Sequence, residues 1–286
     1  MTVETPHRAS IRRRIQRPDI DIAPMQPLRY TIASMVNDMA HYEAMRGSLR
    51  AGGFSGDCEY LYIDNTRGPQ IGAYSGLNTL LNEARGDYVI LCHQDIRLLT
   101  EGRRELDRCL ADLDSRAPDW ALAGNAGGVA PGVLAIRITD PHGADRRVGT
   151  LPQRVASLDE NFIVVRRDAR IGFSKDIEGF HFYGADICLN ADIAGWQAYV
   201  IDFHIAHLSA GNKDENFAMA EAAFRAKWSR ALQPRWLQTT CSLMRLSGDQ
   251  IGQLAGRLVE GSFRRISRRL PGSQGWTRAT PSKETA

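Results

Sequence analysis

The stretch GDYVILCHQDIRL, residues 86–98, decides how the rest of the chain is read. A Gly-Asp turn precedes the apolar run from Tyr88 to Cys92, which is the pattern of a strand buried on both faces of a sheet. The run stops at His93, Gln94 and Asp95. Polar residues at the carboxyl end of a buried strand stand where open α/β sheets bind ligands, and a carboxylate there can hold a hard cation and, through it, a phosphate.

Upstream, YTIASMV at residues 30–36 reads as another buried strand ending in Asn37 and Asp38, and CEYLYI at residues 58–63 as a third ending in Asp64, Asn65 and Thr66. Between them Tyr42, Met45 and Leu49 recur at helical spacing and Gly52-Gly53 supplies the stop. Ala73, Leu77, Leu80, Leu81 and Ala84 mark a second helix, and Leu106, Cys109, Leu110 and Leu113 a third. This alternation is a βαβαβ unit, so the fold class is α/β with a mostly parallel central sheet flanked by helices, and the three polar strand ends converge.

Residues 120–167 alternate short β-rich runs with Gly, Pro and Asp clusters, which predicts hairpins and loops. A helix follows in FHFYGADICLNADIA, residues 180–194, with Asp186 and Asn190 sharing one face. A strand at residues 197–203 leads into HIAHLSAGN, where His204 and His207 are three apart. Phe217, Ala220, Phe224 and Trp228 stripe a further helix. The expected organisation is a disordered basic leader at 1–27, the main domain at 28–232, an amphipathic helical extension at 233–270 and a disordered tail at 271–286.

The net charge of +3 is unevenly spread: residues 1–30 carry six Arg against three acids, residues 235–286 nine Lys or Arg against three, and the remainder 21 basic against 27 acidic residues. Basic ends, one of them amphipathic, suit peripheral contact with an anionic membrane. No stretch approaches the roughly 20 apolar residues of a membrane span and no secretory signal is seen, so a cytoplasmic location, at most peripheral to the inner face of a membrane, is expected. Nucleic acid is not an expected partner. The five cysteines, at 58, 92, 109, 188 and 241, form no CxxC pair and suggest neither zinc nor a disulfide framework.

The succession YTIASMVND, CEYLYIDNT, the helix carrying Asn78, and ARGDYVILCHQDIRLL resembles the nucleotide-binding half of a family 2 glycosyltransferase of the GT-A fold. FHFYGADICLNADIAGW and HIAHLSAGN resemble its acceptor half, in the variety found among bacterial surface-polysaccharide transferases. The resemblance spans roughly residues 29–230. It implies transfer of a sugar from a nucleotide-diphosphate sugar, most often a UDP-sugar, to a glycan or lipid-linked acceptor, with inversion. It also implies nucleotide contacts from Ser34, Asn37, Asp64, Asn65, Asn78, His93 and Gln94. The family's Asp-x-Asp metal motif falls on His93-Gln94-Asp95, which keeps only the last carboxylate for Mn²⁺ or Mg²⁺. His207 is the better match to a metal-binding histidine after the last core strand, His204 the second. The family's catalytic base falls on Asp186.

Such a transfer requires neutralisation of the leaving diphosphate and a base for the attacking hydroxyl. Each candidate has a structural alternative: Asp95 as a helix cap, Asp186 as a carboxylate complementing a helix dipole, the histidines as packing residues. Asp159, Glu160, Asp176 and Glu178 are rival bases. Phe180, Phe182, Tyr183 and Trp196 can stack on sugars or simply pack. The missing first Asp motivates a second reading, a non-catalytic nucleotide- or glycan-binding relative. A nucleotidyltransferase ranks last because no Gly-rich phosphate loop follows the first strand.

Overall fold

The computed structural model describes residues 10–12, 14–18, 27–209, 211, 215–239 and 243–267. It divides into two compact units, residues 1–224 and 225–286. The elements of the first unit are β1 (Ile15–Gln16), β2 (Tyr30–Val36), α1 (Met39–Ala51), β3 (Cys58–Asp64), α2 (Ala73–Glu83), β4 (Tyr88–Cys92), β5 (Ile96–Leu98) and α3 (Arg103–Arg116). After these come β6 (Trp120–Gly124), β7 (Ala126–Ala130), β8 (Val133–Asp140), β9 (Gly143–Val148), β10 (Gln153–Val155), β11 (Ser157–Leu158) and β12 (Phe162–Arg166). Helix α4 (Tyr183–Ile193), β13 (Gln197–Val200), β14 (Ile205–His207) and the start of α5 (Glu215–Leu232) complete it.

The predicted βαβαβ unit is present: β2 pairs parallel with both β3 and β4. Alternation along these strands loads both faces of the sheet. Tyr30, Ile32 and Val36 face α1 and α3, where Tyr42, Met45, Leu49, Leu106, Leu110 and Leu113 are buried. Ala33, Val89 and Leu91 face the opposite layer, with Leu77 and Leu80 of α2 and Ile187 and Ala191 of α4. Burying each large side chain contributes about 2 kcal/mol, so the two layers fix the sheet between them. Asp38 caps α1 by accepting from the backbone N–H of Ala40 and His41 at 2.8 and 3.0 Å. Gly86 lets β2 come close: a Cβ there would lie 2.5 Å from the Thr31 nitrogen.

The eight-stranded sheet, ordered β1-β3-β2-β4-β12-β6-β13-β10, is mixed rather than mostly parallel. Strand β12 enters antiparallel between β4 and β6, because the hairpins of residues 126–158 return the chain from the opposite direction. Those hairpins build a second sheet, ordered β11-β7-β8-β14-β5, with β9 on β8. The segment 93–95 therefore crosses from one sheet to the other.

Part of the expected disordered leader is ordered. Ile15 and Gln16 pair antiparallel with Ile63 and Tyr62 of β3. Arg17 reaches the buried carboxylate of Glu59 at 3.0 Å, and Arg14 donates to the carbonyls of Arg67 and Pro69 at 2.9 and 2.7 Å. Two arginines satisfied by partners that β3 and its flanking loop leave open hold this segment, a docking that composition does not reveal. Leader residues 1–9, 13 and 19–26 and the tail at 271–286 lie outside the described residues.

The second unit holds the antiparallel hairpin β15 (Arg235–Gln238) and β16 (Leu243–Leu246) and the helix α6 (Gln250–Ser267). Residues 235–238 and 243–246, expected to be helical, are strands, with Arg235 opposite Leu246 and Gln238 opposite Leu243. Among the described residues no helix is long and apolar enough to cross a membrane.

Candidate functional site

A cleft of about 940 Å³ opens at the carboxyl ends of β2, β3 and β4, walled on its far side by the second sheet. Its floor is the crossing segment His93, Gln94 and Asp95. The antiparallel pairing of β14 with β5 sets His207 opposite Ile96, and the Leu208 N–H donates to the Asp95 carbonyl at 3.1 Å. That register brings three side chains together across more than 110 residues of chain. His93 Nδ1 lies 3.2 Å from His207 Nε2, His207 Nε2 3.5 Å from Asp95 Oδ1, and His93 Nδ1 3.9 Å from Asp95 Oδ1.

Two imidazoles and a carboxylate are a good donor set for a borderline divalent cation. The triangle their atoms make has its corners about 2.1 Å from its centre, the ligand distance of Mg²⁺ and first-row divalent ions. The protonation pattern agrees. The Tyr183 hydroxyl donates to the Glu160 carbonyl at 3.0 Å, so its oxygen accepts from His93 Nε2 at 2.8 Å. That leaves a lone pair on His93 Nδ1, the nitrogen facing Asp95 and His207. A partner behind the imidazole is how ligating histidines are usually oriented.

Electrostatics favours the ligating form of His93 and Asp95 and works against it at His207, whose proton a bound cation would have to displace. Burial lowers the His93 pKa and the neighbouring His207 lowers it further, which favours the neutral ring. Burial works to raise the Asp95 carboxyl, but hydrogen bonds from His207 and Ser209 and the nearby imidazoles hold it well below the usual carboxylate range. His207 is opposed by burial and raised by its contact with Asp95. Asp95 caps no helix, since β5 follows it directly.

The other expected residues separate into those at the cleft and those behind it. Asn37, Asn65, His93, Gln94, Asp95 and His207 line it. Gln94 Oε1 accepts from the backbone N–H of Asn37 and Asp38 at 3.0 Å each, locking the end of β2 to the end of β4. Asn65 is pinned to Ile71 through both ends of its amide. Ser34 is buried against Cys92, Asp64 closes a turn on Thr66, and Asn78 ties α2 to Phe173 through paired hydrogen bonds; none of the three lines the cleft. His204 is buried and bonded to Thr139 at 2.9 Å, also outside it.

Asp186 does not lie in the cleft wall. It is 0% exposed, and its two oxygens accept from the Ser174 backbone N–H and hydroxyl, each at 2.7 Å, with Asn190 Nδ2 at 3.1 Å. A carboxylate so enclosed anchors α4 to the preceding loop and has no route to an acceptor hydroxyl. Asp186→Ala would leave two buried donors on Ser174 without their acceptor, a loss of about 3 kcal/mol. The expected result is a melting temperature lower by several degrees with metal binding intact, read by thermal denaturation with and without Mn²⁺.

Glu160 is the acid at the cleft beside α4. Its Oε1 accepts from the Gly184 N–H at 3.3 Å, and burial pushes its carboxyl up to about 8. Asp159 also lines the cleft, with its Oδ1 engaged by the Asn161 backbone N–H at 3.0 Å. The Asn161 Oδ1 is buried and has no hydrogen-bond partner among the described residues. Phe182 holds a left-handed φ of 65° at the start of α4, a conformation costing about 1 kcal/mol or more. Its ring is clamped by Phe217 and Phe224, with centroids at 4.9 and 5.5 Å. From the second sheet, Arg146 brings a guanidinium to the cleft, held 3.0 Å from Asp140. Nothing in the local sequence marks Arg146, because its approach depends on the β8–β9 pairing.

No family model matches the chain. A protein of Fuscovulum blasticum named "ATP synthase subunits region ORF 6" is 36% identical over 228 residues, covering 77% of this chain and 92% of that protein. Among solved structures, the chain is similar to the mannosyltransferase PcManGT from Pyrobaculum calidifontis in complex with GDP-Man and Mn²⁺, at 15% identity and a TM-score of 0.46, covering 78% of this chain and 71% of that one. It is also similar to S. aureus TarS 1-349 in complex with UDP-GlcNAc, at 10% identity and a TM-score of 0.45, covering 68% and 61%.

Proposed function

We propose, for a chain that belongs to the family of the "ATP synthase subunits region ORF 6" protein of Fuscovulum blasticum, a metal-assisted transfer of a glycosyl group from a nucleotide-diphosphate sugar, in the first instance a UDP-sugar, to a hydroxyl of a glycan or lipid-linked acceptor. The observation that carries this reading is the convergence of His93, Asp95 and His207 on the floor of a cleft at the carboxyl ends of the parallel strands. Such an edge is where α/β sheets receive nucleotides.

In this reading His93, Asp95 and His207 hold Mn²⁺ or Mg²⁺. When bound, the cation supplies positive charge to the leaving diphosphate. Asn37 and Asn65, at the ends of β2 and β3, contact the nucleoside, with Gln94 fixing the distance between strand ends. Tyr183 keeps His93 in its ligating tautomer. Arg146 adds a cation to the wall. Glu160 replaces Asp186 as the base: it faces the cleft, and a carboxyl poised near neutrality takes a proton from a sugar hydroxyl more effectively than an ordinary one. A single direct displacement inverts the anomeric carbon. A cytoplasmic role in surface-polysaccharide synthesis completes the proposal.

The test is turnover. The protein is incubated with UDP-, GDP-, CDP- and dTDP-sugars and mixed glycan and lipid-linked acceptors, with Mn²⁺ or with EDTA, and released nucleoside diphosphate is measured. Metal-dependent release from one donor class supports the proposal. Nucleotide binding without release across the panel favours the non-catalytic alternative.

A further inference from the structure

The second unit packs its helix the wrong way round for a water-soluble domain. An amphipathic helix ordinarily turns its large apolar residues inward and its small or polar ones out. In α6 the packed face carries Gly256, which is buried against β16: a Cβ there would lie 2.8 Å from the Cβ of Arg245. The opposite residues Ile251, Leu254 and Leu258, spaced to fall on one face, are 82%, 61% and 75% exposed. Leu237 and Leu246 of the hairpin are also exposed. A row of large apolar side chains exposed on one helix face marks a surface that meets an apolar partner.

Charge decides which occupant fits. Residues 225–286 contain 12 Lys and Arg against three Asp and Glu, in a chain whose total is only +3. Two copies pressed face to face would bring like charges together, which opposes self-association. Nucleic acid would use the charge and leave the leucines wet. A bilayer with anionic headgroups uses both, since it takes an apolar helix face at the acyl boundary and basic side chains among the phosphates. We propose that the second unit is a peripheral membrane anchor that lays the Ile251, Leu254 and Leu258 face of α6 on an anionic lipid surface. The proposal is independent of the glycosyl-transfer reading and is tested without turnover.

The experiment is co-sedimentation of the full chain with vesicles of phosphatidylcholine alone, and of phosphatidylcholine with about 30% phosphatidylglycerol. Binding to the anionic vesicles only, weakening as salt is raised, is expected. The variant carrying Leu254→Asp and Leu258→Asp is expected to lose at least about tenfold in vesicle affinity. Both positions are exposed, so its melting temperature and its response to Mn²⁺ should match the parent and exclude misfolding. Equal binding of parent and variant overturns the proposal, as does absence of binding to anionic vesicles. A lipid-free dimer that the variant converts to monomer overturns it too, by assigning the face to a second copy.

Discussion

Asp95→Ala is expected to abolish the stabilisation that a nucleoside diphosphate confers in the presence of Mn²⁺. Asp95 is the one carboxylate among His93, Asp95 and His207, so it carries the formal negative charge that this cluster offers to the cation. Its depressed pKa keeps it ionised across the working range, against burial that favours the neutral acid. A ligand that binds only the native state, present at 100 times its Kd, adds about 2.7 kcal/mol. For a chain of this size that is a rise of several degrees in Tm, measured by thermal shift with UDP, GDP, CDP and dTDP, each with Mn²⁺ and with EDTA. The parent should respond to one base in a metal-dependent way and Asp95→Ala to none. His207→Ala should show the same loss. An undiminished response in both variants would remove the cluster from the site.

Glu160→Gln is expected to lower kcat by about 100- to 10,000-fold while leaving metal-dependent nucleotide binding in place, because the amide keeps the size of the side chain and cannot accept a proton. The pH profile separates a base from a merely structural carboxyl. In the parent, activity should climb as pH rises toward the raised Glu160 value of about 8, and this limb should vanish in the variant. Stability should run in the opposite sense. The folded carboxyl binds its proton more tightly than the unfolded one, whose value is 4.5, so stability falls as pH rises from about 4.5 to about 8 and is then flat. Glu160→Gln should remove that slope. Asp159→Asn is the control; if it, and not Glu160→Gln, loses turnover, the base is Asp159.

The difference between Glu160 and Asp186 shows where sequence reading reaches its limit. Both are acids beside α4, and family resemblance favours Asp186. Helix α4 is buried on several sides, by Tyr183, Gly184, Asp186, Ile187, Cys188 and Ala191, so no apolar stripe says which side meets solvent. Only packing shows that the Asp186 carboxylate turns onto Ser174 and that Glu160, from the loop before β12, takes the cleft side. Ser34 illustrates the same limit along a strand. It stands between Ala33 and Met35 near the end of β2, and the pleat sends its hydroxyl to Cys92 while Met35 reaches the cleft.

What the sequence alone determined is what local periodicity can carry. Apolar runs of strand length alternating with helical stripes specified the βαβαβ unit and placed Asn37, Asn65, His93, Gln94 and Asp95 at its edge, since each decision depends on residues within one or two turns of chain. Tertiary structure decided the rest. The β14–β5 register delivered His207 to Asp95, the hairpins returned β12 antiparallel and carried Arg146 to the cleft, and β3 with its flanking loop captured the arginines of the leader. Each of these is a pairing between distant segments, stabilised by backbone hydrogen bonds and burial that any compatible strand can offer, so its partner is chosen by the whole fold and is not written in either segment.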